Sequence, residues 1–167
     1  MNISVWVVLG GCGKFYKNPL TRQSMTFEVC FYVEGTPVPK GRPRFRSMGN
    51  FVQTYTDSKT RDFEKTVAEA STQAMGASEP LKTPLKVFLQ FTLPIPASVT
   101  KKRLKSILDG LEVHTKKPDL DNLVKATLDG MSEIVFDNDS QIVNISATKK
   151  YGTHPQTDIL VMEYLPT

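Results

Sequence analysis

Histidine and cysteine are scarce in this chain, with two of each in 167 residues. Cys12 and Cys30 are too few for a disulfide framework and make no metal-ligand spacing, so a reducing cytoplasm is the default expectation. His114 and His154 alone do not furnish a His-rich zinc site. No apolar run approaches the roughly 18 residues of a membrane span. Internal repeats, low-complexity tracts and interdomain linkers are missing too. Gly10-Gly11-Cys12-Gly13 is followed by Lys14-Phe15, so it lacks the Ser or Thr and the glycine spacing of a phosphate loop. An EF-hand is excluded as well. After Asp137 and Asp139, Gln141 and Ile142 stand where an oxygen ligand and the turn glycine belong.

What is present is ordinary in bulk. The length suits one domain with a real core. A net charge of +4 and a pI near 9.0 suit a polyanionic partner, although many soluble proteins are mildly basic. Ile3 to Leu9 is a short apolar run with no basic residue ahead of it, a poor secretory signal. It reads equally as a strand or as a non-native leader. Met25 begins a cleaner strand, so residues 1–24 are set apart as an extension and residues 25–167 as the domain.

Along the chain, Phe27 to Glu34 reads as a strand from its aromatic and β-branched residues. Lys40-Gly41-Arg42-Pro43-Arg44-Phe45-Arg46 follows, with four cations in seven residues and prolines that hold it extended. Two readings stand side by side: a solvated basic loop, or an arm gripping phosphate through Lys40, Arg42, Arg44 and Arg46. Asp57 caps a helix expected from Ser58 to Met75, with Phe63, Val67, Ala70 and Ala74 on its apolar face. Gly76 ends it. Leu85 to Leu93 is a strand stopped by Pro94. Ser98 or Thr100 caps a short basic helix through Leu108. A helix from Leu120 to Glu133 presents Leu120, Leu123, Val124, Leu128 and Met131 as its buried stripe. Gln141 to Tyr151 and Thr157 to Tyr164 are two further strands around Gly152-Thr153-His154-Pro155. This order predicts a single small α+β domain, a mixed β-sheet packed with helices.

The chemistry concentrates in Lys117-Pro118-Asp119-Leu120-Asp121-Asn122-Leu123-Val124-Lys125 and in Asp137-Asn138-Asp139-Ser140-Gln141. Phosphodiester hydrolysis must make hydroxide, neutralise charge on the phosphoryl oxygens and stabilise the leaving oxygen. Mg²⁺ supplies all three and takes oxygen ligands, so Asp119, Asp121 and Asp139 are its candidate holders. The helix mouth eases the crowding of carboxylates. Lys125, one turn from Asp121, is placed to orient water or offset phosphate charge. Blander roles compete. Asp119 can be only an N-cap, Asp121–Lys125 only an i,i+4 pair worth about 0.2–0.5 kcal/mol, and Asp137 and Asp139 only turn residues. Each bland role is the better account of its own residue. Together they leave four acids and a lysine near one helix mouth in excess of what capping requires.

These residues resemble a known family. Pro118-Asp119-x-Asp121-Asn122-x-x-Lys125 with Asp139-Ser140-Gln141 is similar to the RusA Holliday junction resolvases, often encoded by prophages. Pro37-Val38-Pro39-Lys40, Arg42-Pro43-Arg44-Phe45 and Tyr55-Thr56 match that family's N-terminal signature, so the resemblance runs from about Phe27 to Tyr164. It implies a small homodimer that binds four-way DNA junctions and makes paired, symmetric nicks in recombination and repair. Mg²⁺ would serve as cofactor, with Mn²⁺ as a substitute. It assigns Asp119, Asp121 and Asp139 as metal-binding catalytic carboxylates and Lys125 as the catalytic lysine. Lys117, beside them in the sequence, joins Lys40, Arg42, Arg44 and Arg46 as a candidate cation on DNA. One departure stands out: the family commonly has two acids before Ser-Gln, and here the first position is Asn138. That departure keeps alive a junction-binding protein without activity. A metal-dependent nuclease for other branched DNA is the third reading.

Overall fold

The computed structural model describes residues 28–41, 44–48, 51–55 and 57–165. The N-terminal extension, its Ile3 to Leu9 run and Arg42 lie outside the described residues. Four strands form one mixed sheet in the order β1 (Glu28–Glu34), β6 (Gln156–Glu163), β4 (Leu85–Pro94), β5 (Ile142–Gly152). β6 is antiparallel to both neighbours, and β4 runs parallel to the edge strand β5. Along β4 the alternation Leu85, Val87, Leu89, Phe91 is buried, as a half-covered strand requires. Val29, Val33, Ile159 and Val161 extend the same core from β1 and β6.

The basic stretch holds a correction. Arg44–Met48 is a strand, β2, paired antiparallel with β3 at Phe51–Tyr55, so the reading of a continuous extended loop fails at Arg44.

Helix α1 spans Ser58–Met75, and Gly76, at a φ of 58°, closes it by donating its N–H to Thr72 O at 3.0 Å. Its buried line is Thr60, Phe63, Val67, Ser71 and Met75, one step of three and then steps of four, rather than the row through Ala74. Ser71 tolerates burial because its hydroxyl donates to Val67 O at 2.7 Å. Helix α2 spans Lys101–Leu108 with Thr100 as its cap, accepting from Arg103 N at 3.3 Å. Arg103 of this basic helix is committed to Glu112 at 2.7 Å. Helix α3 spans Leu120–Met131, two residues short of the expected end at Glu133.

The buried side of α3 also differs from the expected stripe. It is Leu123, Ala126, Thr127, Gly130 and Met131, while Leu120, Val124 and Leu128 are half-exposed. The reason is the close approach of α1. A Cβ on Gly130 would stand 2.8 Å from both Glu64 O and Val67 Cβ. Only small residues fit between the two helices, so the larger aliphatic side chains turn elsewhere. Among the described residues no helix is long and apolar enough to cross a membrane.

Candidate active site

Helix α3 begins where Lys117-Pro118-Asp119 leaves an irregular loop whose Lys117–Pro118 peptide is cis. Lys149 of β5 fastens this loop to the sheet: its ammonium donates to Lys116 O at 2.8 Å and to Pro118 O at 2.7 Å. Asp119 holds the N-cap position, yet its carboxylate makes no capping bond. Capping therefore does not consume it. Asp121 sits in the first turn, where backbone N–H groups favour an anion.

Asp139 comes from a distant part of the chain. It opens a single 3₁₀ turn, Asp139–Gln141, which Asn138 caps. Asn138 Oδ1 accepts from Ser140 N at 2.9 Å, and Gln141 Oε1 accepts from Asn138 N at 2.8 Å. Gln141 Nε2 then donates to Leu81 O at 2.8 Å and Thr83 O at 3.2 Å. Asn138 and Gln141 thus shape and anchor the turn, and the Asp139 side chain stays exposed. The Asn-x-x-Gln spacing of a capping box was the available signal for this.

Asp121, Lys125 and Asp139 line one open depression of about 600 Å³, together with Asp129. Leu120, Val124 and Leu128 of α3 and Ala147 of β5 form its apolar floor, which explains their partial exposure. Lys125 has Asp121 one turn before it and Asp129 one turn after. It pairs with neither, and among the described residues it has no ion-pair partner. The ordinary i,i+4 pair expected of Asp121 and Lys125 does not form.

A second depression, about 640 Å³, adjoins the same helix entrance. Lys40, Lys116 and Lys117 line it with Asp119 and Asn122, between stiff walls that include Pro37, Pro39, Pro94, Pro96 and Pro118. His114 and Tyr151 also line it, their rings 4.5 Å apart. Burial, with Lys149 and Lys116 nearby, pushes the His114 pKa below its ordinary value; its own backbone offsets only a part.

The three candidate carboxylates therefore divide between the two depressions, Asp121 and Asp139 in one and Asp119 in the other. Asp119's loop is tied to Lys149, well along β5, whereas Asp139 precedes the start of that strand. Among the described residues no three His, Cys, Asp or Glu side chains lie close enough to hold one ion together. Mg²⁺, however, commonly uses one or two carboxylates and completes its shell with water and substrate phosphate. Asp121 and Asp139 fit an ion shared with a bound phosphate, not a closed protein cage.

Lys117 is exposed at the second depression. The backbones of Arg44 and Arg46 lie in β2. Lys40 is engaged by two carboxylates, Glu64 Oε1 at 2.6 Å and Asp129 Oδ2 at 2.7 Å. Burial works to lower its pKa, but the hydrogen bonds and charges of Asp129 and Glu64 prevail and raise it above the ordinary lysine value. Asp129 escaped the sequence reading, although its place two turns beyond Asp121 put it on the same side of the helix.

One depression of this basic α+β chain thus combines carboxylates with an ammonium that has no ion-pair partner among the described residues, an arrangement compatible with chemistry on phosphodiesters. Residues 34–162 match the family described as Endodeoxyribonuclease RusA. The chain belongs to the RusA endodeoxyribonuclease family. It is also similar to a Bacillus subtilis (strain 168) protein, Uncharacterized protein YqaN, at 32% identity over 137 residues, covering 81% of this chain and 96% of that one. Nucleases of the RusA family act on branched DNA and are generally dependent on a divalent metal.

Proposed function

We propose that this chain is a Mg²⁺-dependent endodeoxyribonuclease that resolves four-way DNA junctions by paired nicks. The observation that carries the reading is the meeting of Asp121, Asp139 and the unpaired Lys125 around one open depression. Asp121 and Asp139 would hold the cation, which would supply activation of water and neutralisation of phosphoryl charge. Lys125 presents a compact positive charge to the scissile phosphate without first breaking an ion pair. Asp119, at the helix entrance, lies where the strand passes from one depression to the other. Its role is to set the local charge and order water beside the phosphate. Lys116 and Lys117 grip the neighbouring phosphates, with Arg42, Arg44 and Arg46 as further candidates.

Two nicks must be placed symmetrically on a pseudo-two-fold junction, so a two-fold homodimer carrying two such sites fits the substrate. Junction recognition then rests on shape and backbone charge, and affinity falls steeply with salt. Asn138 does not weaken this reading. Its side chain is spent on the turn, and the carboxylates of the depression are other residues. The deciding experiment is cleavage of synthetic four-way junctions with and without Mg²⁺. Paired nicks by wild type and their loss in Asp121→Asn support the proposal. Tight binding with no cleavage under Mg²⁺ or Mn²⁺ indicates an inactive junction binder, and preferential cleavage of flaps indicates a different branched-DNA nuclease.

A further inference from the structure

The ion triple around Lys40 lies outside the functions assigned so far. Lys40 comes from the segment after β1, and both helices pin that segment. Its backbone N–H donates to Asn122 O of α3 at 2.8 Å. The buried Thr60 of α1 donates its hydroxyl to the preceding carbonyl, Pro39 O, at 3.2 Å. The ammonium then bridges Glu64 of α1 and Asp129 of α3 at 2.6 and 2.7 Å, all three side chains being partly shielded, at 24%, 20% and 40% exposure.

Asp129 is also the carboxylate one turn beyond Lys125 and lines the same depression. Residues four apart on a helix are neighbours, and unlike charges there attract. Lys125 would ordinarily find Asp129, yet it does not pair with it. The difference is that Asp129 already faces a shielded cation held on a pinned backbone. An exposed, flexible lysine must lose side-chain entropy to compete for the same oxygens.

We infer that Lys40 is a positioning residue: by holding Asp129 toward Glu64 it keeps Asp129 from Lys125 and leaves the Lys125 ammonium free for substrate phosphate. This inference rests on the reading of Lys125 in the proposed function. It gives the lysine of the Pro-Val-Pro-Lys stretch a task at the nuclease site other than contact with DNA. Without Lys40, Asp129 turns to Lys125 and quenches it.

The test is a double-mutant cycle with Lys40→Met and Asp129→Asn, on protein whose folding is checked by thermal melting. Lys40→Met in the wild-type background is expected to lower the single-turnover cleavage rate of a four-way junction about tenfold, with junction affinity unchanged within about twofold. In the Asp129→Asn background the same substitution is expected to change the rate by less than about threefold, because residue 129 no longer carries the charge that would capture Lys125. A structural role alone predicts similar losses in both backgrounds and overturns the inference. A direct phosphate contact by Lys40 predicts weaker binding in both backgrounds, and a salt slope shallower by about one, which overturns it as well.

A second readout does not depend on cleavage. The side-chain ammonium of Lys125, followed by NMR relaxation, is expected to be mobile in wild type, restrained in Lys40→Met and mobile again in the double variant. Mobility unchanged by Lys40→Met overturns the inference even if the protein cleaves junctions as proposed. Restraint that appears and is relieved supports it even if wild type cleaves none, in which case only the assigned reaction fails.

Discussion

Two depressions meet at the first turn of α3, and they differ in charge far more than in size. Their volumes are similar, about 600 and 640 Å³. Apart from the Lys40–Asp129 ion pair that spans them, one carries Asp121 and Asp139 against a single Lys125, while the other carries Lys116 and Lys117 against a single Asp119. A polyanion is drawn to the second and repelled by the first unless a cation intervenes. The lesson is a division of labour. On the proposed function the basic side would supply grip and the acidic side chemistry, with the helix entrance joining them.

The sharpest way to break this comparison is to remove charge from the acidic side. Asp121→Asn or Asp139→Asn is expected to lower junction cleavage on the order of 10²–10³-fold, the usual effect of deleting one group that stabilises reaction charge. Junction affinity without metal is expected to hold or tighten, because repulsion has been reduced. Gel-shift and single-turnover cleavage on the same preparations check both halves. Weakened binding in step with cleavage would merge the two depressions into one surface.

The next largest effect concerns the helix pair that positions both sides. Gly130→Ala puts a methyl group 2.8 Å from Glu64 O and Val67 Cβ, where backbone cannot yield cheaply. Overpacking of this kind costs about 1–3 kcal/mol. In a chain of this size that is a fall in Tm of roughly 2–12 °C, measurable by calorimetry. An unchanged Tm would mean that α1 and α3 separate freely, and the Lys40 bridge between them would then be loosely placed.

Much of this is legible in the sequence. The helix from Ser58 to Met75 has its expected bounds because apolar residues at spacings of three and four and a closing glycine are local signals. The resemblance in Pro118-Asp119-x-Asp121-Asn122-x-x-Lys125 points to the right family, and the acidic run marks the depression. The misses have a common origin in partners distant along the chain. The buried side of α3 differs from its expected stripe because hydrophobicity favours Leu120, Val124 and Leu128, whereas the close approach of α1 selects Ala126 and Gly130. Lys40 reads as an exposed cation because its partners are remote: Glu64 lies 24 residues on, in α1, and Asp129 farther still, in α3. The division of the three aspartates depends on how Lys149 ties a loop to a strand, which no spacing encodes.

A milder disturbance addresses the basic side alone. Lys116→Gln with Lys117→Gln is expected to weaken junction binding at low salt, and to flatten the slope of log K against log salt by about 2, roughly 0.9 for each phosphate no longer neutralised. Cleavage at saturating protein is expected to stay near wild type, since neither lysine lines the acidic depression. A collapse of the saturated rate would show that these lysines act on the reacting phosphate rather than on its neighbours.

The smallest effect tests how costly further positive charge is beside the basic depression. His114 is buried against Tyr151, its Nδ1 has no hydrogen-bond partner among the described residues, and Lys149 and Lys116 oppose its protonation. Its folded pKa is thus below the unfolded value of about 6.5. On acidification the unfolded chain takes up the proton first, so stability falls as pH drops. The contribution is complete above about pH 6.5 and is lost as pH drops below it toward the folded pKa. His114→Phe keeps the ring packing and removes the titration. Wild type is therefore expected to lose more Tm than His114→Phe between pH 7.5 and 5.5, a difference small beside the Gly130→Ala effect. Equal losses would mean that protonated His114 is accommodated, and the basic depression would then tolerate added charge as readily as the acidic one.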